Sequence, residues 1–300
     1  FFKGMKLLRR HPVDVITAQS PEHWLLAYKL SRFFKIPWQA QVHTDIFSLY
    51  FKKESFLNRI RVWLAKFLLP RANGVRVVSQ RIKNSLTNNL QPTTNNITIL
   101  PIFVDIEKIK ATPITVDLHE KYGHDKFIII MASRLAREKN IGLAIEAVKG
   151  LTNYLLVVVG NGPEKKRLEL LVTPCLPAGR NYQSQNNVVF EPPVDQTTLF
   201  SYYKTCDLFL LTSNYEGCGM TLIEAAAAGA GTVSSDVGVA SEILESENIF
   251  KIGNQNDLVA KLELAIAGRI SAAKNLPQQT KGEYLKLYKE NLEICLKNLK

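Results

Sequence analysis

The sequence DLFLLTSNYEGCGMTLIEAAAAG, residues 207–229, has three parts in a fixed order. Residues 207–211 predict a buried strand, two glycines follow in a turn, and residues 220–228 predict an Ala-rich helix. Open α/β folds bind ligands outside the carboxyl ends of their strands, which is where this turn would lie. The free N–H groups and the positive dipole end of the helix suit a phosphate. The segment therefore predicts an α/β fold with an anion site at this turn.

The same alternation of short strands and helices extends from about residue 125 to residue 267. This order is typical of a parallel sheet covered by helices on both faces, as in one Rossmann-like domain. The predicted strands are 127–131, 154–159, 188–190, 207–211, 231–234 and 249–252, and the predicted helices are 140–148, 164–171, 196–204, 220–228, 240–245 and 256–267.

The first third of the chain shows the alternation in incomplete form. It predicts helices over 1–10 and 21–34, and strands over 13–18, 38–42 and 74–78. A doubly wound domain begins with a strand and a Gly-rich turn. Because neither precedes these elements, we expect this domain to lack residues upstream of Phe1.

The expected domain organisation follows from these patterns. We place a boundary near Lys108, which gives a partial N-terminal Rossmann-like domain over 1–108 and a second Rossmann-like domain over 109–280. Apolar residues at helical spacing predict a final helix over 281–300 that packs back on the body. Residues 172–187 fit neither period and predict an exposed insertion.

Length and composition exclude several classes of protein. A chain of 300 residues with 46% apolar and 22% charged residues is typical of a two-domain globular protein. It has no apolar run near the ~20 residues that span a bilayer and no signal-peptide pattern, so we expect a cytoplasmic protein. Four cysteines without C-x-x-C spacing predict no disulfide framework. No Asp-x-Asp motif or cluster with metal spacing occurs, so we expect no metal cofactor.

The net charge of +11 is concentrated in the first third. Residues 1–100 hold 16 Lys and Arg against 4 Asp and Glu, whereas residues 101–300 hold 22 against 23. Such asymmetry suggests an anionic partner, either a membrane surface or a nucleic acid, although it could also serve solubility alone. Nucleic acid is disfavoured, because no aromatic-basic strand motif or recognition helix accompanies the charge.

Residues 50–71 are the best candidate for a membrane contact. Apolar residues recur there at helical spacing and are surrounded by basic ones, which fits either a helix on anionic lipid or core packing with a solvated basic face. The apolar residues are Phe56, Leu57, Ile60, Trp63, Leu64, Phe67 and Leu68, and the basic ones are Lys52, Lys53, Arg59, Arg61, Lys66 and Arg71.

Two carboxylates flank the glycine turn of the opening segment. Glu216 precedes the predicted helix and Glu224 lies in its second turn, so they can reach opposite ends of one ligand. Carboxylates accept hydrogen bonds from vicinal hydroxyls, which a nucleotide-sugar carries on both its sugar and its ribose. A solvated Glu216 and a capping Glu224 would be the alternative.

Residues 213–229 resemble the E-x-seven-E signature of the retaining family-four glycosyltransferases, which have the two-domain GT-B fold. Ser133-Arg134-Leu135 with Lys139 is similar to the family's G-R-L…K segment, and Gly160-Asn161-Gly162-Pro163 is similar to its G-x-G-P turn. Upstream, weaker similarity covers Asp14-Val15-Ile16, His43-Thr44-Asp45, Val77-Val78-Ser79 and Leu100-Pro101 with Val104-Asp105. The resemblance implies two Rossmann-like domains that face a cleft, the first of them incomplete here.

The resemblance also implies roles for individual residues. Glu216 would bind the donor sugar, Glu224 the ribose, and the N–H groups of Gly219, Met220 and Thr221 the diphosphate. The basic pair Arg134 and Lys139 would stabilise the leaving diphosphate, the turn with Gly160 and Gly162 would border the donor, and His43 would face the reacting sugar. The metal-independent reaction, with a nucleoside diphosphate sugar as donor and retention of configuration, is likewise implied by the family.

Three positions depart from the family pattern. Ser133 replaces a common glycine, Cys218 a common aromatic residue and Val239 a common glycine. The last two would lie beside the donor, so they put the choice of sugar in doubt.

Three functions remain open for the chain. The first is transfer of a sugar to a lipid-linked or polysaccharide acceptor. The second is the role of a non-catalytic binding subunit in a glycosyltransferase complex. The third is a nucleotide-sugar epimerase or a dinucleotide oxidoreductase. The oxidoreductase is disfavoured because no G-x-G-x-x-G follows a strand.

Overall fold

Two units make up the chain in the computed structural model, which describes residues 1–90, 96–172 and 187–297. Unit 1 comprises Phe1–Phe103, Tyr215–Cys218 and Gln279–Lys300, and unit 2 comprises Val104–Asn214 and Gly219–Gln278. Residues 173–186 of the expected insertion lie outside the described residues. Within the described residues, no helix has both the length and the apolar character of a membrane span.

Unit 1 is built on a parallel sheet of four strands in the order β1-β2-β3-β4. Ala18 lies opposite Ala40, and Val42 opposite Val77, so the carboxyl ends of the strands share one edge. The strands are β1 (Ile16–Ala18), β2 (Trp38–Val42), β3 (Gly74–Val77) and β4 (Ile97–Ile99), and the helices are α1 (Phe2–Arg10), α2 (Pro21–Phe34), α3 (Leu49–Glu54), α4 (Phe56–Leu68), α5 (Gln80–Asn89) and α14 (Lys281–Lys297).

The central strand β2 is buried on both faces, but the two faces differ in chemistry. Side chains alternate along a strand, so Trp38, Ala40 and Val42 share one face while Gln39 and Gln41 share the other. Gln39 Nε2 donates a hydrogen bond to the side chain of Asn291 on α14 at 2.7 Å. The polar face of β2 is therefore covered by the helix α14.

Serine side chains determine where several helices of unit 1 begin. Ser55 Oγ accepts a hydrogen bond from the N–H of Asn58 at 3.1 Å, and Ser79 Oγ accepts one from Ile82 at 3.3 Å. Ser55 also has extended backbone, so it ends α3 and begins α4. The single helix expected within 50–71 is thus two helices.

The orientation of α4 tests the core-packing interpretation of its apolar stripe. The helix buries Asn58, Val62, Ala65 and Leu68. Five of the seven apolar residues of the stripe are instead exposed, namely Phe56, Leu57, Ile60, Trp63 and Phe67. Core packing therefore does not account for the stripe.

Unit 2 contains a parallel sheet of six strands in the order β10-β9-β8-β5-β6-β7. The strands are β5 (Phe127–Ala132), β6 (Tyr154–Val159), β7 (Val188–Glu191), β8 (Leu208–Leu211), β9 (Gly231–Ser235) and β10 (Ile249–Phe250). The helices are α6 (Ile106–Ala111), α7 (Leu118–Tyr122), α8 (Ile141–Val148), α9 (Lys165–Val172), α10 (Gln196–Thr205), α11 (Met220–Ala227), α12 (Ala240–Ile243) and α13 (Gln255–Ile266). The core includes Ile129, Leu156, Leu208, Val233 and Leu262.

Most predicted elements are confirmed, with differences at the ends of some strands. Strand β10 ends two residues before its predicted end because the N–H of Lys251 donates to the Asp257 carboxylate at 2.8 Å instead of to a strand. Strand β1 begins at Ile16 rather than at residue 13. The sequence did not predict β4, α3, α5, α6 or α7. The α/β class with two parallel sheets is confirmed.

Candidate active site

A cavity of about 470 Å³ lies in unit 1 and one of about 290 Å³ in unit 2. The second opens at the carboxyl ends of β5 and β6, as expected for a ligand site in an open parallel sheet. It brings together three residues that the sequence placed at the donor, Arg134, Gly160 and Thr221. The rest of its lining is Ala132, Ser133, Val159, Asn161, Pro193, Val194 and Leu199.

Gly160 is required for the shape of this cavity. Its φ of 144° is a conformation that side chains rarely adopt, and an added Cβ would overlap the carbonyl oxygen of Ser133. The N–H of Gly160 donates to the carbonyl oxygen of Glu191 at 3.0 Å. The loops that follow β5 and β6 are therefore packed backbone against backbone, which fixes the position of Arg134 relative to Gly160.

The helix α11 begins at the cavity with Gly219 as its N-cap residue. Glycine has no side chain, so no side-chain cap bonds to the first N–H groups of the helix. Thr221 in this first turn lines the cavity. Further along the helix, burial raises the pKa of Glu224 to about 6 because it disfavours the charged carboxylate. A ligand hydroxyl that donated to this carboxylate would replace part of the lost hydration.

Arg134 and Lys139 lie in the connection between β5 and α8, and this connection is fixed to the end of β8. Thr212 Oγ1 donates to the carbonyl oxygen of Lys139 at 2.9 Å, and the N–H of Asn214 donates to that of Glu138 at 2.7 Å. The Arg134 side chain is 70% exposed and forms an ion pair with Glu138. The sequence did not predict this ion pair, because residues 134–138 do not form an α-helix in which side chains at i and i+4 would face each other.

Comparison of the whole sequence with protein families decides the assignment. Residues 117–282 match the family described as Glycosyl transferases group 1, and residues 1–108 match the one described as Glycosyltransferase Family 4. The chain belongs to these glycosyltransferases. The family predicted from the E-x-seven-E segment is thereby confirmed.

Known proteins similar to this glycosyltransferase agree with the assignment. The α-monoglucosyldiacylglycerol synthase of Acholeplasma laidlawii is 24% identical over 210 residues, which cover 61% of this chain and 50% of the synthase. The structure of Anabaena HepE with UDP-glucose has a TM-score of 0.72 at 20% identity, over 98% of this chain and 80% of HepE. Sucrose-phosphate synthase from Thermosynechococcus elongatus has a TM-score of 0.73 at 19% identity, over 99% and 74%. These structures establish the GT-B fold.

The extent of the similarity differs between the two kinds of comparison. The chain spans about half the length of the Acholeplasma synthase that it matches. It spans about three quarters or more of the two solved structures.

The segment Tyr215–Cys218 belongs to unit 1, as does His43. A Cβ on Gly217 would overlap the carbonyl oxygen of His43, so only glycine permits this approach. Tyr215 packs its ring edge on Phe51 with centroids 5.4 Å apart, and its hydroxyl bonds to the Glu54 carboxylate. Glu216 therefore lies in a segment that is fixed beside the backbone of His43, whereas Gly219, Met220, Thr221 and Glu224 belong to unit 2.

His43 lines the larger cavity, the one in unit 1 at the carboxyl ends of β1 and β2. The walls combine apolar side chains, namely Trp24, Val42, Ile46 and Phe51, with polar ones from Gln19, Ser20, Glu22, His23, Thr44 and Arg61. Burial and the nearby positive charge of Arg76 lower the pKa of His43. The imidazole is thus kept neutral more readily than a histidine in water.

Sequence reasoning missed the residues that surround His43. Its Nε2 lies 3.2 Å from Gln41 Oε1, and Gln41 in turn accepts from Arg76. The signal was a polar residue at every second position, Gln39, Gln41 and His43, in a strand that is otherwise apolar.

Proposed function

We propose that this glycosyltransferase moves a hexosyl group from a nucleoside diphosphate sugar to a lipid-linked or polysaccharide acceptor, with retention of configuration. The observation that carries the proposal is the cavity of unit 2, which joins Arg134, Gly160 and Thr221 at the N-terminus of α11. Uncapped N–H groups and an exposed guanidinium suit a diphosphate. The Anabaena relative was solved with UDP-glucose, which supports a donor of this kind.

The cavity also offers complementary surfaces for the other parts of a nucleotide. Pro193, Val194 and Leu199 form an apolar wall on which a planar base can lie. Glu224, partly desolvated in α11, can accept hydrogen bonds from the two ribose hydroxyls. We assign Gly160 and Gly162 to the loop that borders the donor.

Cleavage of the glycosyl–phosphate bond leaves negative charge on the departing diphosphate. Arg134 and Lys139 would stabilise that charge more strongly in the transition state than in the ground state. Fixed protein cations supply the charge that a divalent metal would otherwise provide, so we propose catalysis without a metal. Glu216 and His43 would bind hydroxyls of the transferred sugar, a role that rests on the family resemblance.

The acceptor side points to a molecule with an apolar part. The 470 Å³ cavity of unit 1 is lined by buried apolar side chains together with polar ones, and Phe51 of α3 and Arg61 of α4 both line it. These helices carry the exposed stripe and its basic neighbours, which fit an anionic membrane surface. We therefore favour an acceptor presented at such a surface, with the protein bound peripherally to the membrane through α3 and α4.

Donor binding and turnover test the proposal separately. Calorimetry with UDP- and GDP-sugars should show binding of one class, and transfer of radiolabelled sugar to a lipid extract should continue in EDTA. Arg134→Ala and Lys139→Ala should each reduce turnover on the order of 10²-fold. Lys149→Ala, an exposed lysine paired with Glu146 on α8, is the matched control and should keep the wild-type rate.

Two outcomes would overturn the proposal in different ways. Near-normal rates in both Arg134→Ala and Lys139→Ala would contradict the roles assigned to these two residues. Donor binding without transfer to any acceptor would favour a binding subunit instead of an enzyme.

A further inference from the structure

The polar face of β2 leads to the imidazole of His43 through one buried amide. Gln41 is 2% exposed, and its Nε2 donates to the hydroxyl of Tyr288 on α14 at 2.7 Å. Its Oε1 lies 3.3 Å from NH1 of Arg76 and 3.2 Å from Nε2 of His43. Each end of the amide is therefore matched to a particular partner.

Arg76 fixes which end of that amide faces His43. The Arg76 side chain is itself buried, and it donates to the carbonyl oxygens of Leu100 and Pro101, both at 3.1 Å. It also donates to the hydroxyl of Tyr284 at 2.8 Å. A guanidinium can only donate, so it requires the oxygen of Gln41 rather than the NH₂ group. The flipped amide would place two donors against each other.

The same oxygen then determines the tautomer of His43. Because Oε1 can only accept, the imidazole nitrogen 3.2 Å away must carry the hydrogen. A neutral imidazole with its proton on Nε2 has a lone pair on Nδ1. The ring is thus left with one nitrogen able to accept from a ligand.

We propose that Gln41, held by Arg76 and Tyr288, is a positioning residue that keeps His43 in the Nε2–H tautomer and presents Nδ1 to a sugar hydroxyl. The role of Nδ1 rests on the proposed function, whereas the tautomer rests on the hydrogen bonds alone. The other titratable or charged groups that line the cavity with His43 are Glu22 and His23 on α2 and Arg61 on α4. Glu22 and Arg61 pair with each other at 2.6 Å, so their charges largely cancel.

NMR of the imidazole tests the tautomer without any need for turnover. The chain has five histidines, and His43→Gln identifies the signals of His43 by their loss. We expect the slowly exchanging ring proton on Nε2 in the wild type. In Gln41→Met, which keeps the length but loses the acceptor, that proton should exchange with water and its signal should disappear.

A second variant keeps the acceptor and adds charge. Gln41→Glu should retain the Nε2–H signal and raise the pKa of His43 by about one unit or more, because a carboxylate stabilises the imidazolium. Gln39→Met is the matched control, since Gln39 lies on the same face of β2 but bonds to Asn291. It should change neither the ring-proton signal nor the pKa.

The outcomes separate this inference from the proposed function. A ring proton on Nδ1 in the wild type, or an unchanged pKa of His43 in Gln41→Glu, would overturn the positioning role. In turnover assays, Gln41→Glu should shift the acid limb of the pH–rate profile upward by the same amount as the pKa. A profile that ignored a measured pKa shift would instead remove His43 from the reaction and leave the tautomer assignment intact.

Discussion

Burial in the fold disfavours the charged form of the Glu224 carboxyl group. The carboxyl has an ordinary pKa of 4.5 and a pKa of about 6 in the folded chain. Between these values the folded chain binds more protons than the unfolded chain, so stability decreases as pH rises through the window and stays lower above it. Partial burial of the Glu224 carboxylate therefore costs stability at neutral pH.

The substitution Glu224→Gln should remove this cost. We expect its Tm to exceed that of the wild type near pH 8 and to approach it near pH 4, where the carboxyl is mostly protonated in both states. Thermal unfolding followed by circular dichroism measures both values. Glu290→Gln, at an exposed position of α14, should show no difference at either pH. Equal Tm values for Glu224→Gln and the wild type near pH 8 would contradict the explanation.

The same carboxyl predicts that donor binding depends on pH. If ribose hydroxyls donate to the carboxylate, the nucleotide prefers the ionised form, so UDP affinity should fall as pH drops below about 6. The decrease cannot exceed about tenfold per pH unit for one proton. Calorimetry of UDP from pH 5 to 8 measures it, and Glu224→Gln should bind UDP weakly with little pH dependence. An equally steep profile in the variant would exclude Glu224 as the linked group.

Gly160 offers a sharp test of the backbone packing around the cavity of unit 2 that it lines. Gly160→Ala would set a methyl group against the Ser133 carbonyl at a φ of 144°, and we expect a loss of about 2 kcal/mol or more of unfolding free energy. Gly150→Ala is the control, because an added Cβ there meets nothing within 4 Å. Urea unfolding compares the two variants. A Gly160→Ala protein as stable as Gly150→Ala would mean that the two loops separate at little cost.

At the scale of elements, the surface of α3 and α4 stands out because its large apolar side chains are not buried. Trp63 is 65% exposed and stacks on Phe67 with ring centroids 6.3 Å apart. Arg71 lies over the other aromatic ring of this pair, 3.9 Å from the centroid of Phe67. Aromatic rings beside basic groups are the combination expected at the interface of an anionic bilayer.

Tryptophan fluorescence can test this surface directly. Trp24 and Trp38 are each 1% exposed, so a blue shift on addition of anionic vesicles would report the third tryptophan, Trp63. We expect the shift with phosphatidylglycerol vesicles at low salt, and its loss at high salt. Trp63→Ser should weaken vesicle binding by about tenfold, while Leu170→Ser, at another exposed apolar residue, should not. Equal binding by these two variants would contradict the membrane contact.

The elements differ in how well the sequence could predict them. Strand β6 is a run of buried apolar residues, so its bounds were predicted to the residue. Strand β4 has only three residues, none of them fully buried, and its pairing with β3 is a long-range contact that no local period reveals. The break at Ser55 depends on one cap hydrogen bond within a pattern that otherwise continues as a helix.

The candidate site shows the same limit. The glycine turn with Glu216 and the segment with Arg134 could be located because each motif is contiguous. Arg76 could not, because its relation to His43 passes through Gln41 and depends on the pairing of β3 with β2. The polar alternation of β2 could indicate Gln41, but no local pattern connects Arg76 on β3 with His43.

At the scale of the whole molecule, unit 1 depends on two pieces of chain that lie far apart in sequence. The helix α14 supplies Asn291, Tyr288 and Tyr284 to buried partners on β2 and β3. Without it, Gln39, Gln41 and Arg76 would lose those hydrogen bonds. Buried polar groups without partners are costly, about 1–3 kcal/mol each.

Truncation after Gln278 should therefore weaken unit 1 selectively. We expect amide protection in β2 and β3 to fall by orders of magnitude, while β5 and β6 of unit 2 keep theirs. Hydrogen exchange followed by mass spectrometry reads both sheets in one sample. Replacement of the exposed residues Lys286 and Lys289 by Ala in the full chain is the control and should change neither sheet. Unchanged protection in β2 after truncation would show that the sheet is stable without α14.

The place of α14 in unit 1 has a consequence for the order of events during protein synthesis. Domains generally fold as they leave the ribosome, starting from the N-terminal side. Here the polar face of β2 is translated early, yet Cys295, whose Sγ lies 3.6 Å from Gln39 Nε2, is made after all of unit 2. While unit 2 is being completed, the polar face of β2 therefore lacks the helix that covers it in the folded chain, so we expect unit 1 to finish folding only after unit 2 has been made.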